Sequence, residues 1–173
     1  MFTRFFEAHY DQVYNYAWRR IGPDYADDVA AEALTVAWRR FAEIPADRPL
    51  LWLYGCARRI ALAKQREIRR RGEAFRLFDE TGSGLAAPDD CEQIIQRSTA
   101  LSALAGLNSS ERELVMLVTW EGLEPREAAK VAGCSHVAAR VRLHRARKRI
   151  ESSLADTGAS TPRTAATAVK ETR

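Results

Sequence analysis

Between Arg140 and Arg149 the chain carries Arg140, Arg142, Arg145, Arg147, Lys148 and Arg149 with no acid among them. Cations at that density suit phosphate, because each contact releases condensed counterions and so favours nucleic acid over simple solvation. Arg140 stands closest to the start of its segment, where its planar fork could take guanine in a bidentate way, so it is the expected base reader. Arg147 and Arg149, farther along, are expected on phosphates. A second set combines Trp52 and Tyr54 with Arg58, Arg59, Lys64 and Arg66. Ring faces stack bases while cations follow a backbone, which is how a single-strand platform works, although aromatics at a helix start serve equally well as core. Covalent and metal chemistry find little support. Cys56, Cys91 and Cys134 are far apart, and His9, His136 and His144 lack acidic or thiol neighbours at ligand spacing, so reduced packing cysteines, no metal and no cofactor are expected. A catalytic domain built on Cys56 or His144 would need an oriented base or a phosphate-binding loop, and none accompanies either.

The basic run must be held by something, and the residues before it supply the frame. Small Ala128, Ala129 and Ala132 allow two helices to cross closely, Gly133 offers the left-handed residue after the first, and Ser135 can cap the second. Ala139, Leu143, Ala146 and Ile150 recur at helical spacing and mark the second helix's buried stripe. This is a helix-turn-helix, and Ser135, His136, Ala138, Ala139 and Arg140 lie near the N-terminus of its second helix, the part that reaches base edges in such units. Ser110 to Glu113 reads as a capping box opening the helix that carries Leu114, Leu117 and Val118, after a stretch marked by Leu101, Leu104 and Leu107.

Upstream, Phe2, Phe6, Val13 and Ala17 signal a first helix that Gly22 and Pro23 break. Asp24, Asp27 and Asp28 crowd the first turns of the next, where a helix dipole favours anions, and Val29, Ala33, Val36, Ala37 and Phe41 mark its buried side. Pro45 and Pro49 bracket a short loop, after which a third helix runs from Leu50 to Arg69-Arg70-Arg71. No strand pattern occurs. The expected fold is all-α: an N-terminal helical domain over 1–72, an acidic flexible linker over 73–97, a C-terminal helix-turn-helix domain over 98–153 and a disordered tail over 154–173. The 173 residues are 46% apolar with a formal charge of +4, and no apolar run has membrane-spanning length, so a cytoplasmic protein near the nucleoid is expected.

Taken in order, FEAHYDQVYNYA, DDVAAEALTVAWRRF, LLWLYGCARRIAL and VRLHRARKRI resemble the bacterial sigma factors of the extracytoplasmic-function group, over nearly Phe5 to Ile150. The resemblance implies a dissociable, non-enzymatic subunit that directs core RNA polymerase to promoters and helps melt them. By position, Asp27, Asp28, Glu32 and Arg39 would bind polymerase. Trp52, Tyr54, Arg58, Arg59, Lys64 and Arg66 would bind the melted minus-ten element, and the Pro45 to Pro49 loop would hold a flipped base. Ser135, His136, Ala138, Ala139, Arg140, Arg142, Arg145 and Arg147 would bind the duplex minus-thirty-five element. Promoter DNA, core polymerase and an anti-sigma factor are the implied partners. Gln65 departs from the family, which usually has a core aliphatic there. The competing reading of the residues is a helix-turn-helix regulator that binds duplex DNA without polymerase.

Overall fold

The computed structural model describes residues 2–70 and 100–159, and every regular element among them is helical. Helix α1 spans Phe2–Ile21, α2 Pro23–Arg39 and α3 Pro49–Arg70, with one 3-10 turn at Phe41–Glu43. A short helix α4 covers 100–105, followed by α5 Ser109–Thr119, α6 Pro125–Ala132 and α7 His136–Ala159.

The N-terminal unit is a three-helix bundle. Gly22 takes φ 84, a left-handed conformation that L side chains resist, and Pro23 then starts α2 at a position that needs no N–H donor. The bundle closes on Val13, Tyr16, Ala17 and Ile21 of α1, Val29, Ala33 and Leu34 of α2, and Leu53, Ala57 and Ala61 of α3, each at most 3% exposed. Alanines at so many of these positions let the helix backbones approach closely. Phe6, read from the sequence as part of the buried face, is 38% exposed; Phe2 and Phe5 pack edge-on to Phe41 instead.

The C-terminal unit is built on caps. Asn108, and not Ser110, caps α5: its side chain accepts from Glu111 N at 2.9 Å. Glu124 and Glu127 form a capping box ahead of α6, with Pro125 in the first turn. Gly133 ends α6 at φ 69, and Cys134 N reaches back to Ala129 O at 3.0 Å, which satisfies a carbonyl the helix end would otherwise orphan. Ser135 Oγ accepts from Ala138 N at 3.1 Å and opens α7. That helix continues to Ala159, past Ser153, where the sequence suggested an unstructured tail. A satellite core of Leu104, Leu107 and Ala146, with Val115 and Ile150, holds α4 and α5 against α7.

The two units are in contact. Helix α3 packs on α6, and the main apolar cluster runs from Val13 and Leu53 through Leu114 and Leu117 to Ala128 and Ala139 without a break. No helix among the described residues is long and apolar enough to cross a membrane.

Candidate nucleic-acid and polymerase interfaces

Helix α7 sorts its residues by face. His136, Arg140, Arg145, Arg147 and Lys148 are exposed, as is Ser135 beside its cap, while Ala138 is half-buried. Ala139 is 0% exposed and belongs to the core, so it is withdrawn from the base-reading set: a side chain with no surface cannot touch a groove. Arg142 is set closer to the core than the exposed arginines of the same helix. One helical turn from both Ala139 and Ala146, it is half-buried and lines a cleft between the two units. Arg149 donates to Glu111 Oε2 at 2.7 Å, and Glu111 is buried, so this guanidinium ties α7 to α5 while remaining about half exposed. Arg147 faces water, with Glu151 one turn on at 3.6 Å. Val137, 72% exposed and not singled out from the sequence, and Val141, 44% exposed, are apolar groups on the same outer face as Arg140.

Helix α3 departs further from expectation. Tyr54 is 4% exposed and its ring stacks on Tyr16 with centroids 5.1 Å apart, so it is a core residue and no open stacking platform. Burial pushes its hydroxyl up to about 12. Trp52 is half-buried against the same core. Arg59 is exposed, donating from Nε to Gly55 O at 3.1 Å, and Arg66 is exposed. Arg58 turns towards the C-terminal unit, with Nε 4.0 Å from Glu113. Lys64 lies over the Tyr25 ring at 5.3 Å and lines a groove between α2 and α3 together with Asp28 and Glu32, away from Arg58. Gln65 donates to Arg20 O at 2.8 Å, which explains how an amide is accepted where an aliphatic would fit.

On α2, Asp27, Asp28, Glu32 and Arg39 are all exposed. Asp28, Glu32 and Arg39 share one face by helical spacing. Asp27 accepts from Tyr10 Oη, and that hydrogen bond, with burial, raises the Tyr10 hydroxyl to about 12. Cys56 is buried and its thiol is raised by that burial, a poor nucleophile; Cys134 is half-buried, and Cys91 lies outside the described residues. Among the described residues no three His, Cys, Asp or Glu side chains gather as metal ligands would.

No local spacing in the sequence announces the contact between the units. Arg20, 6% exposed, donates to Glu113 Oε2 at 2.9 Å and to Glu121 Oε1 at 2.8 Å, and its guanidinium lies 3.6 Å over the Tyr16 ring. Burial alone would lower the Arg20 pKa, yet Tyr16, Glu113 and Glu121 together hold it above the usual value. Tyr16 Oη donates to Glu113 Oε1 at 3.0 Å, Arg19 reaches Glu121 at 3.3 Å, and Arg48 pairs with Glu127.

Comparison with known proteins settles which molecules carry this arrangement. Residues 5–73 match the family described as Sigma-70 region 2, and residues 98–150 match Sigma-70, region 4. The chain belongs to the sigma-70 family. It is an RNA polymerase sigma factor of the extracytoplasmic-function group, whose partners are core polymerase and promoter DNA. It is 32% identical to the probable RNA polymerase sigma factor RfaY of Xanthomonas campestris pv. campestris, over 75% of this chain but only 34% of that protein's length. With RNA polymerase sigma factor CnrH of Cupriavidus metallidurans it shares 32% identity over 74% of this chain and 72% of the relative. With the ECF RNA polymerase sigma factor SigL of Mycobacterium tuberculosis it shares 27% over 88% of each. The fold is that of the sigma factor RpoE from Bartonella quintana, solved in complex with the anti-sigma factor NepR: TM-score 0.66 at 21% identity, covering 89% of this chain and 96% of that one.

Proposed function

We propose that this sigma factor divides its work between the outer face of α7 and the exposed faces of α2 and α3. Arg140, at the second turn of α7, reads a base edge of the minus-thirty-five duplex. Val137 and Val141 offer apolar contact to thymine methyls beside it, and Arg145 and Arg147 hold phosphates. Arg59 and Arg66, with Arg58 and Arg48 when these are not engaged elsewhere, track the non-template strand of the minus-ten element. Asp28, Glu32 and Arg39 on α2 form the polymerase-docking ridge. A minus-ten domain over 1–72 and a minus-thirty-five domain over 98–153, tethered by 73–97, complete the assignment.

No bond is made or broken by the chain itself, so it is not an enzyme: binding the melted strand more tightly than the duplex shifts the DNA towards the open state. Its place of work is the cytoplasm, at the nucleoid. An anti-sigma factor is a further expected partner, supported by the fold shared with a sigma factor solved in such a complex. The observation that carries the proposal is a Gly133-capped helix-turn-helix with a cationic outer face, joined in one chain to a bundle whose α2 exposes acids. Reconstituted transcription tests it. Purified chain plus core polymerase on a pool of genomic fragments is expected to give transcripts from a small set of starts, and transcripts no different from those of core polymerase alone would overturn it.

A further inference from the structure

On α3, Arg58, Leu62, Gln65 and Arg69 follow one another at steps of three or four residues, so they share one helix face. Arg112 and Met116 of α5, at the same spacing, and Arg142 of α7 stand with them around a cleft of about 240 Å³. Six guanidiniums line it, those of Arg19, Arg20, Arg58, Arg69, Arg112 and Arg142, against the single carboxylate of Glu113. That carboxylate already accepts from Arg20 at 2.9 Å and from Tyr16 Oη at 3.0 Å, and it stands 4.0 Å from Arg58. Ser109 and Ser110 complete the wall at the first turn of α5, where a helix presents its free N–H groups and the positive end of its dipole.

The cleft carries more positive charge than its own acid can balance. Glu113 and Glu121 match Arg19 and Arg20, but among the described residues neither Arg69 nor Arg142 pairs with a carboxylate. Arg112 donates to three carbonyls, whose dipoles leave its charge standing, and burial lowers its pKa. Arg20, which lines the cleft at 6% exposed, has Nη2 buried without a hydrogen-bond partner, and Arg19 Nε beside it is in the same position. Buried donors of that kind call for an acceptor. We propose that the cleft is a binding site for a compact oligophosphate anion of diphosphate size, gripped by Arg58 and Arg69 on α3 and by Arg142 and the first turn of α5 on the C-terminal unit.

Chemistry and size both narrow the ligand. A guanidinium fork matches phosphate oxygens in a bidentate way, and cations contributed by three helices are shared best by an anion with more than one phosphoryl group. The cleft volume lies a little below the roughly 300 to 1,000 Å³ of ordinary small-molecule sites, so the occupant is compact and a DNA duplex does not fit. Leu62, Met116 and Ala132 supply apolar lining, and in such surroundings an ion pair is stronger than in open water. This inference goes beyond the promoter-binding roles assigned above and does not rest on them.

The test is isothermal titration calorimetry on the full chain at constant ionic strength. Sodium diphosphate is expected to bind one to one, at least tenfold tighter than sulfate or orthophosphate. Arg69→Ala and Arg142→Ala should each weaken it at least fivefold, whereas Arg126→Ala, which removes an exposed cation of α6 outside the cleft, should stay within twofold. Diphosphate should also raise the melting temperature of the wild type progressively with its concentration, because it binds only the folded chain, and should raise that of Arg69→Ala much less. Arg69 is exposed, so its loss leaves the fold intact. ADP separates two sources of the same chemistry: affinity equal to or above that of inorganic diphosphate identifies a nucleotide, and weaker affinity identifies the free anion. Diphosphate bound no tighter than sulfate, or bound equally by wild type and both cleft variants, overturns the site. A random single-stranded 20-mer whose binding depends on Arg69 and Arg142, with no binding of diphosphate, overturns it as well and gives those arginines to nucleic acid.

Discussion

Ala139 and Arg140 are neighbours in sequence and opposites in structure, and replacing each should give opposite signatures. Ala139 is 0% exposed and shares a cluster with Ala128 at 0% and Ala129 at 2%, where α6 and α7 meet. Replacing it with leucine inserts three carbons at a contact lined by alanines, which have no rotamers with which to yield. The helices must part, and overpacking of this kind costs about 1 to 3 kcal/mol. For a domain of this size each kcal/mol lowers the melting temperature by roughly 4 to 8 °C, so Ala139→Leu should melt visibly early in circular dichroism at 222 nm. Arg140 is exposed, so Arg140→Ala should leave the melting temperature nearly unchanged. It should instead cost about 1 to 3 kcal/mol in promoter affinity and relax preference at one base pair, read by selecting duplexes from a random pool. The reasoning is refuted if Ala139→Leu melts with wild type and changes base preference, since the residue would then be a reader and not a wedge between helices.

Other substitutions separate the remaining roles. Arg147→Ala should weaken all duplex sequences alike and reduce the slope of log affinity against log salt by about 1, and an unchanged slope would remove it from the phosphate contacts. Asp28→Lys combined with Glu32→Lys should abolish co-purification with core polymerase while duplex binding survives; retained co-purification would clear the α2 ridge of that role. Tyr10 and Tyr54 should ionise at about 12 in an ultraviolet titration. Their folded pKa values lie above the ordinary value near 10, so the native state holds these protons more tightly. The stability they contribute is therefore complete below pH 10 and lost as pH rises towards 12, and denaturant midpoints measured across that interval check the sign.

The sequence made the helices and the turn at Gly133 legible because caps, breakers and periodicity act over a few residues. It was less informative wherever one pattern serves two purposes. Trp52 and Tyr54 fit a stacking platform as well as a core, and only the Tyr16 ring across the bundle decides for Tyr54. Asn108 and Ser110 both stand three residues before a glutamate; Asn108 is the cap, and Glu113, which would have completed the other box, is drawn away by Tyr16 and Arg20. Arg142 and Arg149 look like members of one basic stripe until the helix is rolled against its neighbours. The Arg20 partners lie 93 and 101 residues away along the chain, a separation at which no local spacing rule applies.

Arg112 at the start of α5 donates to the carbonyls of Leu104, Ala105 and Leu107 at 2.7 to 2.9 Å. One side chain thereby rivets α4 and the turn after it to α5, using backbone acceptors that no change of pH can neutralise. An excised fragment for studying the helix-turn-helix half in isolation should thus begin upstream of Leu104, since cutting at Asn108 would strip this guanidinium of those three acceptors and deprive the satellite core of two leucines.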